Sequence, residues 1–168
     1  PAARRPQAQR RVGCCDVAVP RPTALRSTSI RALADLLGAP AADLPDVCVT
    51  GVTLDSRSVL PGDLYAALPG ARAHGADFVA AAAASGALAV LTDAVGARRV
   101  RDSSVDLPLL VVQEPRAVLG SVAARVLGTD HLTLRMLGIT GTNGKTTTAY
   151  LVHSALTALG EGTGLIGT

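Results

Sequence analysis

The sequence predicts an α/β protein: a small N-terminal α/β domain followed by the first strand, glycine-rich loop, helix and strand of a second, parallel-sheet domain. Short apolar or β-branched runs alternate with helical stretches from residue 29 onward, which is the pattern of a sheet covered by helices. A glycine-rich turn also joins an apolar run to a long helical stretch near residue 141. The polar link at 129–133 separates the two parts.

The bulk composition excludes two classes of protein. No run reaches 18 apolar residues, so no membrane span is expected. Six of the 16 Lys and Arg residues, but one of the 13 acidic residues, precede residue 27, which leaves 10 basic and 12 acidic residues for the rest of the chain. With aromatic residues at 2%, that balance predicts no nucleic-acid-binding surface.

The cysteines and the chain ends give three further expectations. Cys14, Cys15 and Cys48 are odd in number and lack metal-ligand spacing, so we expect free thiols and a reducing, cytoplasmic location, with Cys48 as a small core residue. Residues 1–27 are basic and punctuated by proline, which favours a disordered tail over a transit peptide. The chain begins with Pro and stops directly after an apolar run, which predicts part of a longer protein.

The first elements are a helix and a strand. Apolar residues recur at the helical period over residues 29–37, and Gly38 followed by Pro40 marks the end of that helix. Residues 47–54 form a β-branched run that predicts a strand. The polar residues 55–57 follow it as a turn.

Two strand–helix pairs come next. Pro61-Gly62-Asp63 is a turn, which we expect Asp63 to cap, and it precedes a predicted strand at 64–68. Residues 69–75 are a loop, and residues 76–85 a helix that Gly86 closes. A strand is predicted at 88–92 and another at 109–112, joined by a connection at 93–107 without predicted regular structure. Pro115 then opens a helix that runs to Leu127 and stops at Gly128.

The second part has the arrangement of a phosphate-binding loop. The apolar run 134–139 predicts a strand, residues 149–159 predict a helix, and a turn lies between them, composed of Gly141, Thr142, Asn143, Gly144, Lys145, Thr146 and Thr147. Backbone N–H groups of such a turn hold phosphates, Lys145 reaches the terminal phosphates and the Thr146 hydroxyl ligates Mg²⁺, so ATP and Mg²⁺ are the expected cofactors. Lys145 is the sole lysine of the chain, and all its other Lys and Arg positions are arginine. The alternative is a Gly/Thr-rich turn with an incidental lysine.

The spacing differs from the standard Walker A loop, because Ile139 stands where that motif needs its first glycine. The run Gly-Thr-Asn-Gly-Lys-Thr-Thr instead closely resembles the ATP loop of the Mur ligases and the related folylpolyglutamate synthetases. Three upstream motifs choose between them: Leu-Asp-Ser-Arg at 54–57, Pro-Gly-Asp-Leu-Tyr at 61–65 and His-Gly at 74–75. They are similar to the N-terminal UDP-binding domain of the E-type Mur ligases, whereas folylpolyglutamate synthetases have no such preceding domain.

This resemblance implies a domain plan and a set of site residues. Residues 28–130 would form the UDP-sugar-binding domain, and residues 131–168 the start of the central ATP-binding domain. The residues expected to contact the UDP-sugar are Leu54, Ser56, Ala71, Arg72 and Ala73, and those expected to act in catalysis are Lys145 and Thr146. The alternative for the 55–57 segment is an ordinary strand-ending turn. Arg72 either pairs with the diphosphate or points into solvent, and His74 structures the loop or is exposed.

The resemblance also implies the reaction. Mur ligases of the E type add the third amino acid, a diamino acid such as diaminopimelate or lysine, to UDP-MurNAc-L-Ala-D-Glu through an acyl phosphate, in peptidoglycan synthesis. We expect the chain to be inactive by itself, since the other parts that the family uses are absent from its sequence. The alternatives are an F-type Mur ligase, which shares the Asp-Ser-Arg and Gly-Asp-Leu pattern, and a phosphate-loop protein that is not a ligase.

Overall fold

The structure is a computed structural model that describes residues 26–167. It divides into two compact units, the first ending at His131 and the second spanning Leu132–Thr168. The predicted disordered tail lies outside the described residues except for its last two, and so do Cys14 and Cys15. No helix within residues 26–167 has the length and apolar character that crossing a bilayer requires.

The first unit is built on a four-stranded parallel sheet. Its strand order is β3 (Gly51–Thr53), β4 (Asp63–Ala67), β5 (Ala89–Thr92) and β6 (Leu109–Val111). A separate antiparallel pair joins β1 (Thr28–Ser29) to β2 (Cys48–Val49). The predicted α/β class of the first part is therefore confirmed, and its sheet is parallel.

Four α-helices cover this sheet: α1 (Ile30–Leu37), α2 (Val79–Ala84), α3 (Ala94–Asp102) and α4 (Pro115–Leu127). Two short 3₁₀ helices, Ser56–Ser58 and Gly75–Phe78, follow β3 and β4. The predicted end of α1 at Gly38 is confirmed, and so is that of α4 at Gly128. Both glycines adopt left-handed φ angles, 62° and 66°, which let their N–H groups cap the last turn of the helix.

The two faces of the sheet carry separate apolar cores. All five residues of β4 are buried, and their side chains alternate between the faces. Leu64 and Ala66 belong to the core that α1 and α4 cover, with Ile30, Leu33, Val122 and Val126. Tyr65 and Ala67 belong to the core that α2 and α3 cover, with Val79, Ala82 and Val100. Three layers result, and the loops that follow the strands lie at one edge of the sheet.

The single strand predicted at 47–54 is wrong, because the chain changes sheets at Thr50. Residues before Thr50 pair with β1 as β2, and residues after it pair with β4 as β3. The Thr50 N–H donates to Gly62 O at 2.8 Å at this break. Side chains alternate along β2, so Val49 is buried and Cys48 is exposed, and the prediction of Cys48 as a core residue is also wrong.

The connection at 93–107 contains the helix α3, which was not predicted from the sequence. Asp93 caps the helix by accepting a hydrogen bond from Gly96 N at 2.7 Å, and Ala97 and Val100 are buried. Four of the nine residues of α3 are charged, so its narrow apolar stripe is not apparent from the sequence. The topology gives the reason for the helix: β5 and β6 are parallel, so the chain must cross back over the sheet between them.

The second unit consists of an extended segment and the helix α5 (Lys145–Ala158). No strand forms at 134–139 or after α5, in contrast to both predicted strands of this part, because within residues 132–167 neither segment has a ladder partner. Its large apolar side chains are accordingly exposed, as Met136 shows at 81%. The predicted helix is confirmed, although it starts at Lys145 and ends at Ala158 rather than spanning 149–159.

We expect Gly75→Ala to destabilise the first unit. A Cβ atom at Gly75 would lie 2.8 Å from Ala67 Cα and 2.8 Å from Leu68 N, both rigid backbone atoms of β4 and its end. Overpacking of this kind costs about 1–3 kcal/mol of unfolding free energy. Gly120→Ala is the matched control, because a Cβ atom there meets nothing within 4 Å. Urea denaturation of both variants measures the difference, and equal midpoints would contradict this packing.

Candidate functional site

Two loops that follow neighbouring strands lie at one edge of the first unit. Because β3 and β4 are parallel, their carboxyl ends lie side by side, which is where open α/β sheets bind ligands. Leu54 and the 3₁₀ helix Ser56–Ser58 come after β3, and the loop at 69–75 comes after β4. The structure thus places both predicted groups of substrate residues at the same sheet edge.

The turn after β3 is shaped by one ion pair. Asp55 accepts a hydrogen bond from Arg57 N at 3.0 Å, and the Arg57 guanidinium donates to both carboxylate oxygens at 3.0 Å. These bonds from Arg57 hold the pKa of Asp55 below its usual value. The pair fixes the turn while Leu54 stays 54% exposed and Ser56 half-buried. Both predicted contact residues are therefore accessible.

Tyr65 connects this turn with the loop after β4. Its ring is buried in the sheet, and its hydroxyl donates to Gly75 O at 2.9 Å. Burial raises the pKa of Tyr65, the charge of Asp55 raises it further, and a hydrogen bond with Ser56 opposes the rise. Tyr65 is thus a neutral donor that lies beside both Ser56 and the end of the loop.

The loop at 69–75 is closed at its base and exposed at its tip. Pro69 and His74 form an antiparallel bridge, and Gly70 N donates to Ala73 O at 3.1 Å. Ala71, Arg72 and Ala73 are all exposed. Arg72 makes no ion pair with any residue in the 26–167 range. The tip therefore offers mainly backbone groups and one cationic side chain.

His74 structures the loop, which was one of the two roles predicted for it, and it does so as a buried residue. Only 8% of it is exposed, its Nδ1 accepts from Ala76 N at 3.0 Å, and its Nε2 lies 3.2 Å from Asp93 Oδ1. Asp93 was not predicted as the partner of His74. The available signal was an aspartate directly after a strand, a preferred helix N-cap position.

A second carboxylate and an arginine complete this cluster. His74 N donates to Asp77 Oδ2 at 3.2 Å, and Arg99 Nη1 on α3 donates to Asp77 Oδ1 at 2.6 Å. The hydrogen bond from Arg99 lowers the pKa of Asp77. For Asp93, burial opposes ionisation, but the Gly96 N–H and His74 outweigh it and lower its pKa. Both carboxylates are therefore ionised at neutral pH.

The phosphate-type loop lies in the second unit. Gly141 and Gly144 adopt φ angles of 151° and 76°, which side chains disfavour, and Gly144 is the N-cap of α5. Helix geometry leaves the first N–H groups of α5, those of Lys145, Thr146 and Thr147, without intrahelical acceptors. Lys145 Nζ donates to Gly141 O and lies 3.5 Å from Thr142 O. The predicted residues are thus together at an exposed helix N-terminus.

The described residues contain no group of three His, Cys, Asp or Glu side chains arranged to hold a metal ion. Thr146 is exposed in the first turn of α5 and presents a hydroxyl oxygen, a donor that suits Mg²⁺. Its assignment as a magnesium ligand stays a prediction. The predicted contacts of Leu54, Ser56 and residues 71–73 also stay predictions.

Comparison with known proteins bears on this arrangement. The family model of the Mur ligase family, catalytic domain, matches residues 48–126. A UDP-N-acetylmuramoyl-L-alanyl-D-glutamate--2,6-diaminopimelate ligase of Streptomyces coelicolor is 55% identical over 149 residues, which are 89% of this chain and 29% of that protein.

The chain belongs to the Mur ligase family. This confirms the resemblance predicted from the motifs. A ligase of the same name from Pseudomonas aeruginosa is 46% identical over 73% of the chain and 25% of its own length. The chain therefore spans about a quarter to a third of the length of these curated relatives.

Solved Mur ligase structures have the same fold. One is a UDP-N-acetylmuramoylalanyl-D-glutamyl-2,6-diaminopimelate--D-alanyl-D-alanyl ligase from Acinetobacter baumannii, with a TM-score of 0.61 and 26% identity over 82% of this chain and 30% of that one. Another is a UDP-N-acetylmuramoyl-L-alanyl-D-glutamate--2,6-diaminopimelate ligase, with a TM-score of 0.55 and 25% identity over 80% of this chain and 26% of that one. Both confirm the α/β fold of the family.

We expect the first unit to lose stability in acid. Folding lowers the pKa values of Asp77 and Asp93. In the unfolded state both carboxyl groups have the ordinary pKa of about 3.9, so in acid the unfolded state binds more protons than the folded state and is favoured. This contribution is complete above about pH 5 and disappears as the pH falls through the lower folded values.

Asp93→Asn tests this expectation by urea denaturation between pH 7 and pH 3. The variant should be less stable than the wild type at pH 7, and the two should converge toward pH 3. Asp106→Asn, which removes an exposed carboxylate outside the cluster, serves as the control. A gap between wild type and Asp93→Asn that stays constant with pH would refute the role of this carboxylate.

Proposed function

We propose that the natural protein that carries this chain is an ATP-dependent ligase of peptidoglycan synthesis, which adds 2,6-diaminopimelate to UDP-MurNAc-L-Ala-D-Glu. The 55% identity to the Streptomyces coelicolor ligase of that specificity carries the proposal. The chain would supply the UDP-sugar-binding domain, residues 28–130, and the start of the ATP-binding domain, residues 131–168. The cytoplasmic location stays a prediction.

The second unit is suited to the ATP half of this reaction. The free N–H groups at the start of α5 and the positive end of the helix favour phosphate oxygens, and the glycines leave them uncovered. Lys145 is an exposed ammonium whose contacts are with carbonyls of its own loop, which a phosphate would replace. Mg²⁺, which Thr146 would ligate, would neutralise phosphate charge when bound.

The chemistry we propose has two steps. The D-Glu carboxylate attacks the γ-phosphorus of ATP, releasing ADP and forming an acyl phosphate. The amine of the incoming diamino acid then attacks the acyl carbon, expelling phosphate and forming the amide. The part of Lys145 is to hold the γ-phosphate in line and to stabilise the charge that spreads over its oxygens during transfer.

The first unit is suited to the UDP-sugar. Ser56 and the exposed backbone at 71–73 lie at the carboxyl edge of adjacent parallel strands, and Tyr65 joins them. Leu54 offers exposed apolar surface to a uracil ring, and Arg72 is a cation without an ion pair to the described residues. We propose that these groups bind the uridine diphosphate portion of the substrate.

Two alternatives are weaker. The Acinetobacter baumannii protein is a ligase whose name gives D-alanyl-D-alanine as one of the joined groups, but its identity is 26% against 55% for the Streptomyces relative. A phosphate-loop protein that is not a ligase does not explain a family match over residues 48–126, which lie before the loop. The E-type ligase accounts for both units of the chain.

Lys145→Ala in the natural protein should reduce ligation by about 100-fold or more, the scale of losing a group that stabilises developing charge. UDP-MurNAc-dipeptide binding, measured by calorimetry, should stay unchanged, since that ligand belongs to the first unit. Arg135→Ala removes another exposed cation of the second unit and should leave ligation intact. Loss of UDP-MurNAc-dipeptide binding in Lys145→Ala would show that the two binding roles are wrongly assigned.

Ser56→Ala should weaken UDP-MurNAc-dipeptide binding about 3- to 10-fold, the effect of losing one hydrogen bond to the ligand. Ser58→Ala is the matched control, because Ser58 ends the same 3₁₀ helix and is exposed. Calorimetric titration of both variants gives the two affinities, and ATP affinity should not change in either. Equal weakening by both variants would count against a specific contact from Ser56.

A further inference from the structure

Two neighbours orient the His74 ring through its two nitrogens. The N–H of Ala76 can only donate, so Nδ1, 3.0 Å away, must carry a lone pair. Nε2 then carries the proton and faces Asp93 Oδ1 at 3.2 Å, whose carboxylate accepts it. The tautomer with its proton on Nε2 satisfies both contacts.

Helix α3 fixes this ring in space. Asp93 caps α3 through Gly96 N, and Arg99 on the same helix binds Asp77, which in turn accepts from His74 N. Gly96 lies directly against the ring, because a Cβ atom at Gly96 would be 2.5 Å from His74 Cε1 and 2.0 Å from Thr92 Oγ1. The helix packs against the histidine through a position that has room for hydrogen only.

His74 also forms the base of the exposed tip at 71–73. It bridges to Pro69, and the next residue, Gly75, donates to Leu68 O at 2.8 Å, so both ends of the tip are anchored at the end of β4. Ala71 and Ala73 have methyl side chains, so binding there depends on their backbone N–H and C=O groups. The orientation of these backbone N–H and C=O groups toward a ligand depends on the anchoring of the chain on both sides of residues 71–73.

We propose that His74 is a positioning residue for UDP-sugar binding, which sets the backbone of residues 71–73 through its hydrogen bonds to Ala76 and Asp93. This inference rests on the proposed function of the first unit. It assigns to α3, through Asp93 and Gly96, a role in substrate affinity although the helix contributes no residue of the predicted binding set.

Four variants of the natural protein test this role, with affinity for UDP-MurNAc-dipeptide measured by calorimetry. His74→Ala removes both side-chain bonds, and Gly96→Ala displaces the ring without changing its chemistry; each should weaken binding about tenfold. His74→Asn keeps a side-chain oxygen that can accept from Ala76 N and should recover most of the affinity. Asp93→Asn keeps an oxygen acceptor for Gly96 N but loses the carboxylate charge, and should give an intermediate loss.

Two control variants, and a comparison of UDP-MurNAc-dipeptide affinity with ATP affinity, separate a positioning role from a general loss of folded structure. His131→Ala removes an exposed histidine, and Gly120→Ala adds a methyl group that meets nothing within 4 Å. Both should bind like the wild type. ATP affinity should be unchanged in all variants, and each is compared at a temperature at which its thermal unfolding curve shows it folded.

The outcomes are distinguishable. Wild-type protein that fails to bind UDP-MurNAc-dipeptide would overturn the proposed function of the first unit. Wild-type binding with equal affinity in folded His74→Ala and Gly96→Ala would overturn the positioning role alone. If His74→Ala does not fold, the comparison of His74→Asn with Gly96→Ala decides: tenfold loss in Gly96→Ala with recovery in His74→Asn supports the role, and equal affinities refute it.

Discussion

Complete burial of β4 is the constraint on which the first unit depends. A parallel strand with neighbours on both sides must cover both of its faces, so its alternating side chains require two separate apolar layers. Leu64 anchors one layer and Tyr65 the other. This need for two apolar layers places α1 and α4 on one face of the sheet and α2 and α3 on the other. The loops that join the strands to these helices therefore lie at the carboxyl edge of the sheet.

The same strand carries the link between core and site. Tyr65 has its ring in one apolar layer and its hydroxyl on the Gly75 carbonyl, where the loop after β4 returns. His74, one residue earlier, reaches the start of α3 through Asp93. The candidate site and the core are therefore not independent: the exposed residues 71–73 are held from behind by buried polar groups, which tolerate few rearrangements.

Local signals in the sequence predicted the elements that have clear ends. Gly38 and Gly128 stop α1 and α4, and Pro115 opens α4, because the backbone preferences of these residues act without help from the fold. The phosphate-type loop was equally visible, since glycine spacing and one lysine define it. The shared edge of the loops after β3 and β4 was not predicted, because it depends on the parallel pairing of these two strands.

The remaining features depend on contacts between distant residues. Helix α3 has a stripe of small apolar residues that matters only because β5 and β6 are parallel. Cys48 is exposed because the chain changes sheets at Thr50. No residue near Thr50 gives a sequence signal for that change. The pairing of His74 with Asp93 joins residues 19 positions apart, and it needed the fold to be known.

The exposed ammonium of Lys145 has a consequence for covalent chemistry. Because the chain contains no other lysine, a reagent that acylates lysine side chains has a single target in it, at the N-terminus of α5. Acetylation of that amine would remove the charge and the capacity to pair with a phosphate in one step. The extent of acylation at Lys145, measured by mass spectrometry, therefore reports how accessible this one amine is.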